Sequence, residues 1–142
     1  MATDFLDRCE TLEECYEFML GYAGQGLPGD KGSEIRHYLE RAVEALDGLG
    51  ESFKRAGIAA GLTWSESHEN FLGVLCRDAQ DSLATMGMVL SQRDISSQLI
   101  DNLNASIHLR ALMTDLFLVG DILRAENQAA TRSASDIPVL PK

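Results

Sequence analysis

Apolar residues recur along most of the chain at intervals of three and four, the period of a helix that buries one face. Leu12, Cys15, Tyr16, Met19, Tyr22 and Ala23 form the first such stripe. Thr11 followed by Glu14 has the spacing of a capping box, so the pattern predicts that helix one starts there. Gly24, Gly26 and Pro28 end it. A second stripe, Ile35, Leu39, Ala42, Val43, Leu46, Leu49 and Phe53, follows Ser33 as N-cap and runs to Gly57. Gly48 and Gly50 weaken its later part by about 1 kcal/mol each relative to Ala. After the connection "GIAAGLT" at 57–63, Thr63 and Glu66 suggest another capping box. The third stripe is Trp64, His68, Phe71, Leu72, Leu75, Ala79, Leu83, Met86 and Leu90.

The fourth helix is expected to open at Asp94 and to reach about residue 127. Leu99, Ile100, Leu103, Ile107 and Ala111 give its first half a narrow apolar face. From Leu112 to Leu123 apolar residues cover most of the circumference. Read as one continuous helix, it places Arg110, Thr114 and Asp121 within about 40° of one another, on the side that continues the face of Leu103. Charges there need partners, and the apolar excess needs a cover that three short neighbours do not supply. Leu112, Leu116, Phe117 and Val119 are therefore the expected dimer contact.

Four amphipathic helices with short connections and no strand pattern predict an all-α fold, an antiparallel four-helix bundle over 1–127. The segment 128–142, "QAATRSASDIPVLPK", carries no stripe and reads as a flexible tail.

Composition narrows the possibilities. The chain has 142 residues and a formal net charge of −10, which disfavours nucleic acid and anionic membranes as partners. Residues 1–70 carry 14 acidic and 6 basic side chains. Glu10, Glu13, Glu14 and Glu17 lie opposite the first stripe, where a basic protein partner could dock, although acidic faces also serve solubility. Three cysteines without a C-x-x-C pair fit a reducing cytoplasm better than a disulfide framework. "MATDFLDRCE" lacks the apolar core of a signal peptide, and "LFLV" at 116–119 is far too short to span a bilayer.

"GYAGQGLPGDKGSE" at 21–34 approaches the phosphate-loop pattern G-x-x-x-x-G-K-[ST]. That loop requires a preceding strand and contiguous Gly-Lys-Ser/Thr. Here a helix precedes it, Asp30 separates Gly29 from Lys31, and Gly32 separates Lys31 from Ser33. The stretch reads as a connection between helices.

Glu34-x-x-His37 is the other tempting pattern, because di-metal bundles carry Glu-x-x-His on two helices with two further inward Glu. There is no second copy, and His37 lies about 160° from the apolar stripe. No metal and no cofactor are expected. None of the histidines is followed by the Lys-Gly pair of phosphotransfer bundles. His68 alone lies within a stripe, one turn from Trp64 and Phe71. It is either a boundary histidine bonded to a neighbour or a group facing a pocket.

These patterns favour a non-enzymatic helical bundle working through protein–protein contacts, in an accessory, chaperone-like or regulatory role and as a homodimer. The alternative is a small-ligand or cofactor-binding bundle, with or without enzymatic activity, that has a pocket near Trp64, His68, Arg110 and Asp121.

Overall fold

The structure, a computed structural model, describes residues 2–135. It contains six helices: α1 (Ala2–Ala23), α2 (Ile35–Leu46), α3 (Leu49–Ala59), α4 (Glu66–Leu90), α5 (Ser97–Ala105) and α6 (Ile107–Ser135). Among the described residues there is no strand, and no helix is long and apolar enough to cross a membrane. α1 packs against α2, α3 and α5; α4 packs against α2, α3 and α6; α5 also meets α6.

Two of the four expected helices are broken. Helix two divides at Asp47 and Gly48, where Gly48 takes φ 79° and begins α3 from a left-handed conformation. A side chain would be strained there, so this glycine makes a corner. Helix four divides at Ser106, whose extended backbone ends α5 and whose hydroxyl accepts from Leu109 N at 3.3 Å. Ser and Thr favour such caps because their oxygen replaces a lost helical acceptor.

The expected starts also move. α1 begins nine residues before Thr11, which sits inside the helix with its hydroxyl donating to Asp7 O at 3.0 Å. The longer helix adds Phe5 to the core. In α4 the cap is Ser65 rather than Thr63, and its partner three residues on is His68 rather than Glu66. α5 starts behind Ser96, which accepts from Leu99 N at 3.0 Å, not at Asp94.

α6 continues to Ser135, so residues 128–135 are helical, although the pattern there suggested a loose tail. The remainder of that segment, 136–142, lies outside the described residues.

One end of the molecule is stitched by the segment that resembled a phosphate loop. Asp30 Oδ2 accepts from Arg36 Nε at 3.0 Å, and its Oδ1 accepts from Ile95 N at 2.9 Å. Arg36 also donates to Leu90 O at 2.8 Å and Gln92 O at 3.1 Å, which covers exposed carbonyls at the end of α4. Tyr22 donates its hydroxyl to Ile95 O. Ser97 donates Oγ to Tyr22 O at 2.7 Å and accepts from Leu27 N at 2.9 Å. Buried polar groups need such partners, and here they tie two connections together. Lys31 is exposed.

Candidate functional site

At the other end the helices part. The first turns of α1, the last turn of α3, the 60–63 connection and the later part of α6 enclose a groove of about 590 Å³. Its walls are mostly apolar, with Phe5, Leu6, Ala56, Ala60, Leu62 and Leu123 prominent. It opens because α5 packs on α1 whereas α6, past the break at Ser106, packs on α4. A smaller hollow of about 190 Å³ shares Leu62 and Leu123 with it and reaches in to Phe53, His68 and Phe71.

An aromatic cluster packs at this end. Phe53 lies 5.4 Å from Phe5, 5.5 Å from Trp64 and 6.2 Å from Phe71, measured between ring centroids. Such separations suit tilted and edge-on ring contacts. Trp64 Nε1 donates to Glu69 Oε2 at 2.6 Å, and Lys54 Nζ approaches the same oxygen at 3.1 Å. Those two contacts hold the Glu69 carboxyl below its usual range, the Trp64 hydrogen bond contributing most.

His68 is committed on one side of its ring. Ser65 N donates to its Nδ1 at 3.1 Å, closing the cap of α4. The free edge, Nε2, lies 3.8 Å from Oε1 of Glu126, a residue that lines the larger groove. This is the bonded boundary histidine, and its ring also forms part of the hollow's wall. Among the described residues Glu126 Oε2 has no hydrogen-bond partner.

The residues expected to share a ligand site do not all converge. Trp64 and His68 meet with ring centroids 5.1 Å apart and planes tilted by 31°. Arg110 and Asp121 are both exposed and line neither cavity; Asp121 instead binds Arg124, one turn away. The break at Ser106 explains this correction. It resets the helical phase, so Arg110, Thr114 and Asp121 fall on the solvent side of α6 rather than continuing the face of Leu103.

The same break alters the expected dimer contact. Leu112, Leu116 and Val119 are 0 %, 4 % and 2 % exposed within the single chain. They belong to its own core and have no surface left to offer a second copy. Phe117 is 55 % exposed, with Leu118 and Ile122 also on the surface.

Among the described residues the buried acid is Asp115, 6 % exposed on the core side of α6, a residue the pattern did not single out. Burial, then the neighbouring carboxyl of Asp78 on α4, pushes its carboxyl up to about 7. Its position three after Leu112 and four before Val119 was the available signal, and it requires the corrected phase.

Glu10, Glu13, Glu14 and Glu17 are all exposed on α1. Glu14 reaches Arg41 at 3.7 Å. Burial raises the thiols of Cys9 and Cys15 to about 12, with Glu13 adding to the effect at Cys9, so neither is a ready nucleophile at neutral pH. Among the described residues no group of three or more His, Cys, Asp or Glu could hold a metal ion.

No known protein family, no curated protein and no solved structure matches the chain.

Proposed function

We infer that the chain is a non-enzymatic protein-binding module whose binding surface is the groove between α1, α3 and α6. The observation that carries this reading is the groove itself, a mostly apolar trough of about 590 Å³. Apolar hollows of this size are uncommon on soluble chains unless something fills them. Among the described residues no nucleophile-and-base pair lies in it, and their ionisable lining is Arg124 and Glu126.

The scaffold we propose is an antiparallel bundle of four segments, α1, α2–α3, α4 and α5–α6. Its support lies at the two ends. α1 and α4 start beside the groove and its hollow and finish at the stitched connections, whereas α2–α3 and α5–α6 begin there and run back. Three free cysteines favour a reducing compartment such as the cytoplasm. On α6 a homodimer contact is left with Phe117, Leu118 and Ile122, a face interrupted by Arg110, Thr114 and Asp121.

Trp64 is the sole tryptophan and sits beside the hollow, so its emission reports on filling. An apolar fluorescent dye should bind at one site, shift Trp64 emission, and lose affinity when Ala60→Phe fills the trough. Failure to bind, or binding indifferent to Ala60→Phe in a folded protein, removes the reading.

The second reading, a small apolar ligand, is favoured by the hollow of about 190 Å³ against His68. Native mass spectrometry of protein purified from its own cell distinguishes it, since a retained small molecule adds a defined mass.

A further inference from the structure

Leu6, on the rim of the groove, begins a stripe along the outward face of α1. Glu10, Glu13, Glu17 and Leu20 follow it at steps of four, three, four and three residues, which keeps all five on one side of the helix. All five are exposed. At 1.5 Å per residue the stripe is about 20 Å long. Its ends are apolar and its middle is acidic. Among the described residues no ion pair engages Glu10, Glu13 or Glu17, whereas Glu14, rotated off the stripe, is the one that meets Arg41.

Three carboxylates within two turns repel one another and depress the stability of the helix that carries them. The arrangement suits a partner that brings cations to the middle and apolar groups to both ends. A second copy of this chain does not, because it carries the same net charge of −10. An anionic membrane meets the same repulsion.

Resting on the groove as the binding surface, we propose that this face docks a cationic amphipathic helix of another protein. Its apolar side chains seat against Leu6, Leu62 and Leu123 at one end and Leu20 at the other. Its Lys or Arg side chains lie over Glu10, Glu13 and Glu17. Helices dock in grooves through anchors at i, i+3, i+4 and i+7, and about four turns match the length of the stripe. The charges supply orientation and encounter rate, and the apolar contacts supply most of the affinity.

The test uses the full chain and three synthetic 18-residue peptides. One is a Leu/Lys/Arg amphipathic helix, one has its Lys and Arg replaced by Glu, and one scrambles the first. Calorimetry and Trp64 emission should show the first binding one to one. Its affinity should fall about tenfold in the triple variant Glu10→Gln, Glu13→Gln, Glu17→Gln, the size that three exposed ion pairs supply together. It should also fall on raising salt from 50 to 500 mM, with circular dichroism confirming the fold. The scrambled peptide should not bind.

The proposal is overturned if the acidic peptide binds equally well, if the triple variant changes nothing, or if the amphipathic cation fails to bind. In those cases the groove reading still stands whenever the apolar dye remains sensitive to Ala60→Phe. Binding of the first and scrambled peptides alike, unaffected by Ala60→Phe, overturns both. A photocrosslink from position 6 to residues 137–140 of the same chain would assign the groove to its own C-terminal segment and also overturn the proposal.

Discussion

At Gly50 the backbone of α3 passes so close to α4 that an added β-carbon would overlap Cys76 Sγ. In an open helix Gly→Ala stabilises by about 1 kcal/mol. Here the sign reverses: Gly50→Ala should cost about 1–3 kcal/mol through overpacking. Adding Cys76→Ala, which removes the offending sulfur, should recover most of the loss in urea denaturation. The sequence presents Gly50 as a weak point in a helix. Its reason for being glycine lies across the interface, on a residue 26 positions away, where no local pattern reaches.

Asp115 is a second residue whose meaning depends on its neighbours. With its carboxyl raised to about 7, the folded chain keeps a proton that the unfolded chain releases near the ordinary carboxylate value. This contribution to stability is therefore complete in acid and is lost as pH climbs from about 4 to about 7. Above that range a buried carboxylate stands beside Asp78 without full compensation. Asp115→Asn should remove the slope and exceed the wild type at pH 8 by about 1–3 kcal/mol, as read from unfolding midpoints at pH 5 and pH 8. Sequence periodicity reveals Asp115 only once Ser106 is recognised as a cap. Treating 94–127 as one helix rotates every later residue onto the wrong face.

At the scale of elements, existence and type were more legible than boundaries. The stripes of α1, α2–α3, α4 and α5–α6 all correspond to helices, because each period reports a face that the core covers. The breaks were not legible, because the apolar spacing runs through Asp47–Gly48 and through Ser106 without interruption. Arg8 makes the first break tolerable by donating to the carbonyls of Ala45 and Asp47 from α1, a long-range contact that no local signal announces.

The 21–34 connection gives the clearest prediction at this scale. Lys31→Ala should leave the melting temperature nearly unchanged, and magnesium nucleotide should not raise it. Asp30→Ala should cost about 1–3 kcal/mol by stranding Ile95 N and Arg36. Its acid behaviour is opposite to that of Asp115. Hydrogen bonds from Arg36, then from Ile95 N, hold the Asp30 carboxyl below its usual range. The stability it contributes is present above about pH 4 and declines as pH falls toward that lowered value. In acid titration followed by circular dichroism, Asp30→Asn should start from lower stability at pH 6 and lose less on acidification.

For the whole molecule, the redistribution of α6 decides the expected state of association. Since Leu112, Leu116 and Val119 are already covered by their own chain, Phe117→Glu should leave both the sedimentation coefficient at micromolar concentration and the unfolding midpoint close to wild type. Val119→Glu should unfold the chain, because it buries a charge in the core. The candidate groove was only partly readable. His68 and Trp64 marked its neighbourhood through their place in an apolar stripe. Leu6 lies off the apolar stripes that mark the core, and Ala60 and Leu62 belong to a connection whose partners are set only by tertiary packing.

The stitched connections at one end also have a mechanical consequence. Buried and part-buried hydrogen bonds through Tyr22, Ser97 and Asp30 hold that end, whereas the groove end, beside its aromatic cluster, has exposed ion pairs such as Arg55–Asp4 and Lys54–Glu69. Exposed pairs contribute far less than buried, satisfied networks. The helices should therefore open more readily where they part, with the stitched end serving as the pivot of a pair of tongs. Amide protons of 56–62 should exchange with deuterium well before those of 95–100, and a peptide seated between the jaws should slow the first set while leaving the second unchanged.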